Sequence, residues 1–226
     1  MRRDEFRDAL RRAAEITGDH DLVVIGSQSV HGAFAPGVLP PAATASGEVD
    51  IMAPHDIEGD KIWLLAGRGA GWGDKAEIDG VDITTATLPE GWVDRLIAFP
   101  LDDQPDCVIG WCLDPHDMVV SKAVAGRDKD FQFIEALANA HLVDPAVSLE
   151  RLAVIDPGCR QPRPEEIERA GVYLASRPRP DQLYRPAARA APKGRRHPTR
   201  DEFPAPADMY ADLRHARPDL DGSQDT

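Results

Sequence analysis

Cysteine is scarce in this sequence, and the few cysteines are not arranged like a metal site or a disulfide framework. Among 226 residues there are three, Cys107, Cys112 and Cys159, and they include no CxxC pair. An odd number without zinc-ligand spacing argues against structural zinc and against a secreted disulfide scaffold. Because Cys107 and Cys112 lie in one apolar run, we expect buried, reduced thiols.

Long apolar runs and an excess of positive charge are also missing. No segment approaches the roughly 18 consecutive apolar residues of a membrane-spanning helix, and no apolar signal-peptide core follows the basic N-terminus. With 26 basic and 39 acidic residues, the formal charge of −13 argues against broad, nonspecific binding to a nucleic-acid backbone. We therefore expect a cytoplasmic protein with no membrane partner.

The apolar content that is present, 42% of residues, is enough for a folded core. Hydrophobic periodicity predicts strands at 21–25, 48–53, 81–86 and 107–112. It predicts helices at 4–17, 27–34, 56–65, 114 to about 124, 128–141, 148–154 and 165–174. Strands interleaved with helices and followed by a helical run predict an α+β (α/β-like) fold with a helical cap. The glycine-rich run 67–73 follows a predicted helix rather than a strand, so it is interpreted as a flexible connection.

Three regions follow from this pattern: a core at 1–113, a helical cap region at 114–177 and a disordered tail at 178–226. The tail is predicted because prolines accumulate there and apolar periodicity disappears. Its basic cluster at 193–197 is interpreted as solvated, with contact to RNA or to a protein partner as the alternative.

The first functional motif is the apolar run Val23-Val24-Ile25, which ends in Gly26-Ser27. A glycine allows a tight turn with close backbone approach because it has no Cβ. Ser27 then places a hydroxyl and a backbone N–H at the start of a predicted helix, a position that favours phosphate. The simpler interpretation is that Ser27 only caps the helix.

The second motif is a pair of acids two residues apart, Glu48 and Asp50, in an otherwise apolar predicted strand. Side chains alternate across a strand, so both carboxylates point to one face. Their repulsion and desolvation are costly unless a cation lies between them, and carboxylate oxygens suit Mg²⁺. Asp82, between Val81 and Ile83 on another predicted strand, would complete a three-carboxylate cluster and serve as a general base.

In this order, Gly26-Ser27, Glu48-Val49-Asp50-Ile51 and Val81-Asp82-Ile83 resemble the DNA polymerase β-type nucleotidyltransferase superfamily. The resemblance implies a nucleotidyltransferase fold, with a small mixed sheet flanked by helices, and a requirement for Mg²⁺. The gap between the first two motifs is longer than the superfamily's usual spacing. We therefore expect the proline-rich loop 35–47 to be an insertion over the site.

The segment from Asp114 to Asp130 is similar to a helical segment of AbiEii-like and related uncharacterised nucleotidyltransferase-like bacterial proteins. There a lysine followed by an arginine and an aspartate lies near the nucleotide phosphates. The whole resemblance covers roughly residues 5–145. It implies catalytic residues Asp82, Asp50 and Lys122, nucleotide-binding residues Gly26, Ser27, Lys122, Arg127 and Asp130, and metal ligands Glu48, Asp50 and Asp82. From the residues alone, Lys122 could equally be a solvated lysine on a helix. Residues 127–130 could equally be a helix start that is stabilised only by salt bridges.

The expected activity is Mg²⁺-dependent transfer of a nucleoside monophosphate from an NTP to an RNA (tRNA) or protein acceptor. Within the AbiEii-like group this implies a toxin of a toxin–antitoxin or phage-defence system, with an antitoxin as partner. Two alternatives stay open. One is a small-molecule, aminoglycoside-type nucleotidyltransferase, and the other is a catalytically inactive fold used as a binding module.

Overall fold

The computed structural model describes residues 1–56, 59–66, 77–184 and 190–204. In this part of the chain the centre is a mixed five-stranded sheet. Its strands are β1 (Asp21–Val24), β2 (Glu48–Met52), β3 (Glu77–Gly80), β4 (Ile97–Pro100) and β5 (Ile109–Cys112). The order is β3-β2-β1-β5-β4. β1 runs antiparallel to β2 and parallel to β5, while β3 is parallel to β2 and β4 is antiparallel to β5.

Helices cover both faces of this sheet. They are α1 (Arg3–Thr17), the four-residue α2 (Val30–Ala33), α3 (Asp60–Ala66), α4 (Pro115–Ala125), α5 (Asp128–Asn139), α6 (Pro145–Arg151) and α7 (Pro164–Ala175). The predicted α+β class with a small mixed sheet and a helical C-terminal region is confirmed. In the residues described, none of these helices is long and apolar enough to cross a bilayer.

Alternation along β1 separates two hydrophobic cores. Leu22 and Val24 face the core that α1 and α3 cover, and Val23 faces the larger core shared with the C-terminal helices. Val23 pairs with Met52, which lies in that same larger core. Glu48 and Asp50 precede Met52 by even numbers of residues, so they point to the face of the C-terminal helices.

The helical region is fixed to the sheet domain by a buried ion network. Asp117 of α4 is fully buried. Its carboxylate accepts hydrogen bonds from Arg95 Nε at 2.8 Å and from Arg151 Nη1 at 2.9 Å. Because a buried charge is costly without partners, these two arginines make its burial possible.

The third predicted strand is wrong. Residues 81–86 form no strand, and the strand that pairs with β2 lies earlier, at Glu77–Gly80. Asp82 instead caps a 3-10 turn over Ile83–Thr85, where its carboxylate accepts hydrogen bonds from the backbone N–H and the hydroxyl of Thr84. A short acidic side chain that binds nearby backbone groups competes with strand pairing. β4 was not predicted, and the glycine-rich run 67–73 lies outside the described residues.

Part of the predicted tail contacts the fold. Within residues 190–204, Arg195 donates to the carbonyl of Cys107 and to Asp21, and the tilted ring of His197 packs against Trp111 with centroids 4.7 Å apart. Phe203 is buried in the larger core. For these residues the structure differs from the predicted disorder, because a few anchoring side chains suffice where periodicity is absent. Residues 205–226 lie outside the described residues.

Candidate active site

A cavity of about 350 Å³ opens on the sheet face that carries Glu48 and Asp50. Its walls come from the first half of β2, from Ser27, from the 3-10 segment Pro41–Thr44 and the residues after it, and from α4 and α5. The lining residues are Ser27, Ala42, Ala43, Ala45, Ser46, Glu48, Asp50, Lys122, Arg127, Lys129, Asp130 and Phe133. Acidic side chains from the sheet and basic side chains from the helical region therefore meet in one cavity.

Three carboxylates from two neighbouring strands converge beside this cavity. Glu48 and Asp50 come from β2, and Asp79 comes from β3, where it pairs with Asp50 in the parallel register. Each is partly buried, and one oxygen of each lies within 4.8 Å of the other two. Three hard oxygen donors at this spacing can hold a divalent cation.

The Gly26 turn makes room for the middle carboxylate. A Cβ built on Gly26 would lie 1.5 Å from Asp50 Oδ2 and 2.6 Å from its Cγ. Gly26 has an extended backbone, with φ −88° and ψ −167°, that any residue can adopt. The glycine is therefore required by the close approach of Asp50 rather than by its own backbone conformation.

Asp50 carries the strongest electrostatic perturbation in the cluster. Burial, reinforced by repulsion from Glu48 and Asp79, raises its pKa to about 6, while Lys122 and Arg127 act in the opposite direction. A carboxylate held in this environment is costly to ionise until positive charge is added. The cluster is thus electrostatically prepared for a cation.

The basic side of the cavity is built around Asp130, which is fully buried at the start of α5. Lys122 Nζ lies 3.1 Å from Asp130 Oδ1, and Arg127 Nε lies 2.6 Å from Oδ2. Burial tends to raise the pKa of Asp130, but the hydrogen bonds and charges of Arg127 and Lys122 outweigh it, so the pKa is lowered. The pKa of Arg127 is raised, first by its hydrogen bond to Asp130 and further by the charges of Asp50 and Glu48.

The loop at 35–47 contributes the cavity wall opposite α5. Gln28, fully buried next to Ser27, donates from Nε2 to the carbonyl of Ser46 at 3.2 Å. The Ser46 hydroxyl in turn accepts from the backbone N–H of Glu48 at 3.2 Å. The loop is therefore tied to both the Gly26-Ser27 turn and β2. Only small side chains, three alanines and Ser46, line the cavity from this loop.

The structure brings together most of the site residues predicted from the sequence. Gly26 contacts Asp50, and six predicted residues line one cavity: Ser27, Glu48, Asp50, Lys122, Arg127 and Asp130. Asp82 is the exception, because its carboxylate caps the turn described above and is not among the three converging carboxylates. Asp79, and not Asp82, is the third carboxylate that converges with Glu48 and Asp50. The signal for it was present, since Ile78-Asp79 is also an apolar residue followed by an acid.

His31, which follows the Gly26-Ser27 turn in the chain, does not line the cavity. It is almost fully buried against Phe6, with ring centroids 5.0 Å apart. Burial lowers its pKa to about 4, so it is neutral at physiological pH. Its position in the core between α1 and the sheet makes it a packing residue.

Comparison with known proteins gives one match. Residues 4–155 match the model of a family described as nucleotidyltransferase of unknown function, DUF6036. No curated protein and no solved structure matches the chain. Since the match covers well over half of the sequence, the chain belongs to this nucleotidyltransferase family.

Proposed function

We propose that this member of a nucleotidyltransferase family transfers a nucleoside monophosphate from an NTP to a hydroxyl of a macromolecular acceptor, with Mg²⁺ bound. The observation that carries the proposal is a cluster of three carboxylates, two of which, Glu48 and Asp50, line one cavity together with Lys122 and Arg127. A metal-bound nucleotide needs carboxylates that bind the metal ion and nearby positive charge that binds the phosphates.

The donor set fits a magnesium site. Glu48, Asp50 and Asp79 offer only oxygen ligands, and burial, reinforced by the charges of Glu48 and Asp79, raises the pKa of Asp50. When bound there, Mg²⁺ would supply charge neutralisation for the nucleotide phosphates. In this proposal Asp79 takes the metal-binding position that the sequence had suggested for Asp82.

The chain's own residues would carry out the remaining tasks. Lys122 and Arg127 would bind the β- and γ-phosphates, and Ser27 would donate a hydrogen bond to a phosphate oxygen. The acceptor oxygen attacks the α-phosphorus, so one P–O bond forms while the bond to the leaving pyrophosphate breaks. Asp79 is the carboxylate that we assign to accept the proton of the attacking hydroxyl.

A transfer assay tests this proposal. The protein would be incubated with α-labelled NTPs, Mg²⁺ and either total RNA or cell protein. We expect label in one acceptor fraction with the wild type and none with Asp50→Ala or Asp79→Asn. Asp82→Asn is the matched control, because it removes an acid close in sequence but outside the cluster, and it should keep transfer within about threefold. Transfer that survives Asp50→Ala would contradict the proposal.

The resemblance of the segment around Lys122 and Asp130 to AbiEii-like proteins supports a toxin role, with tRNA as acceptor and an antitoxin as partner. In this structure Lys122 and Arg127 line the same cavity as Glu48 and Asp50, which supports nucleotide binding there whatever the acceptor. Growth arrest on expression, relieved by Asp50→Ala, is the expected result. Unimpaired growth together with transfer in vitro would favour a small-molecule or housekeeping acceptor. ATP and Mg²⁺ binding without any transfer would instead indicate a binding module.

A further inference from the structure

Asp130 has no oxygen left for a nucleotide. Its Oδ1 accepts from Lys122 Nζ at 3.1 Å and from Arg127 Nη2 at 3.2 Å. Its Oδ2 accepts from Arg127 Nε at 2.6 Å and from the backbone N–H of Arg127 at 3.3 Å. The carboxylate is fully buried and negatively charged, so it would repel phosphate oxygens rather than bind them.

The two cations that Asp130 holds share the cavity with a second set of acids. Lys122 and Arg127 line the same cavity as Glu48 and Asp50. Across this cavity, the positive charges of Lys122 and Arg127 stabilise the ionised form of Asp50. Arg127 has a side chain that is 61% exposed and can reorient towards the acids. Lys122 is 16% exposed and its Nζ also lies 4.8 Å from the Phe133 ring centroid, but its flexible four-carbon stem lets the ammonium group change partners.

Such a movement would block the site. Direct ion pairs from Lys122 and Arg127 to Glu48, Asp50 and Asp79 would neutralise the carboxylates that a divalent cation needs. The same pairs would also occupy the cations that a triphosphate needs. Asp130 offers both cations a buried partner instead, with the bidentate arginine geometry that favours strong pairing.

We propose that Asp130 is a positioning residue that holds Lys122 and Arg127 away from the Glu48–Asp50–Asp79 cluster, so that the cluster stays available to a divalent cation. This inference rests on the proposed function, but what it predicts directly is the affinity of the cluster for a metal ion. It replaces the nucleotide-binding role that the sequence suggested for Asp130.

The test is the binding of Mn²⁺ alone, followed by electron paramagnetic resonance or calorimetry at pH 7.5. Asp130→Asn keeps the shape of the side chain and releases the cations, so we expect Mn²⁺ affinity to fall by about tenfold or more, because the released cations compete with the metal ion for the carboxylates. Asp128→Asn is the matched control. It removes the same charge from the same first turn of α5 but from an exposed side chain, and should change affinity by less than about twofold.

A variant that lacks both cationic side chains distinguishes a loss of their positioning from general damage to the structure. In the Lys122→Met, Arg127→Met variant there are no cations to hold, so adding Asp130→Asn should change Mn²⁺ affinity by less than about twofold. An equal loss in both backgrounds, or no loss in Asp130→Asn alone, would overturn the inference. Should Asp130→Asn fail to fold, Asp130→Glu takes its place. It keeps the charge but lengthens the arm that holds the cations, and it should show a smaller loss that again disappears in the double-methionine background.

These outcomes are separable from the fate of the proposed function. If the wild type binds Mn²⁺ and the variants behave as described but no acceptor is ever labelled, the positioning role stands and the transfer activity fails. If transfer occurs and Mn²⁺ binding does not depend on Asp130, the activity stands and the positioning role fails.

Discussion

Replacing Gly26 by alanine tests how tightly the turn and the carboxylate cluster are coupled. The new Cβ would stand 1.5 Å from Asp50 Oδ2, whereas ordinary contact begins near 3.4 Å. The carboxylate oxygen must therefore retreat by about 2 Å. Since the whole cluster fits within 4.8 Å, a shift of this size takes Asp50 out of it.

We expect Gly26→Ala to lower transfer activity and Mn²⁺ affinity strongly and to lower the free energy of unfolding only modestly. A misplacement of about 1 Å at a reacting centre can cost about 100-fold in rate, so Gly26→Ala should lose at least that much transfer activity. We also expect a Mn²⁺ affinity at least about tenfold weaker. The backbone of Gly26 is ordinary extended chain, so the cost in the free energy of unfolding should stay within the about 1–3 kcal/mol typical of overpacking.

Two measurements, Mn²⁺ titration and denaturant unfolding, check this reasoning. Gly47→Ala is the matched control, because a Cβ there would meet nothing within 4 Å although the residue directly precedes β2. Gly47→Ala should behave like the wild type in both assays. If Gly26→Ala binds Mn²⁺ with wild-type affinity, the coupling between the turn and Asp50 is wrong.

Three further predictions concern charge, the helical region and the C-terminal segment. Asp50→Asn should raise the Tm of the metal-free protein at pH 7.5. Because the pKa of Asp50 is raised from 3.8 to about 6, its ionisation destabilises the fold above pH 6, and this penalty disappears as the carboxyl is protonated between pH 6 and 4. The increase in Tm should therefore shrink over that range, and an increase that does not depend on pH would contradict this. Asp117→Ala should cost about 1.5–3 kcal/mol in urea unfolding, since the partly exposed Arg95 and Arg151 lose their hydrogen bonds to a buried charged partner; a loss below about 0.5 kcal/mol would refute it. Phe203→Ala should cost about 3 kcal/mol if residues 190–204 pack as described, and nothing if they do not.

Local patterns were sufficient for the parts of the site that lie within one element. Alternation along β2 puts Glu48 and Asp50 on one face, and an apolar run ending in glycine predicts the turn after β1. The Asp114 cap, which accepts from the backbone N–H of His116 at 2.9 Å, and the proline after it located the start of α4.

Non-local pairing explains what the sequence did not reveal. Asp79 and Asp82 both follow an apolar residue, and only the parallel register of β3 on β2 selects Asp79. The burial of Asp130 likewise depends on how α5 packs, so its role as a partner of Lys122 could not be separated from a nucleotide-binding role. The anchoring of Arg195 to Asp21 joins residues 174 positions apart and leaves no periodic signal.

The most direct test of the central claim is an anomalous difference map from crystals grown with Mn²⁺ and a non-hydrolysable NTP analogue. The account predicts anomalous density among Glu48, Asp50 and Asp79, with the phosphates between the ion and Lys122 and Arg127. Density bound to Asp82, or a nucleotide seated away from this cavity, would contradict it.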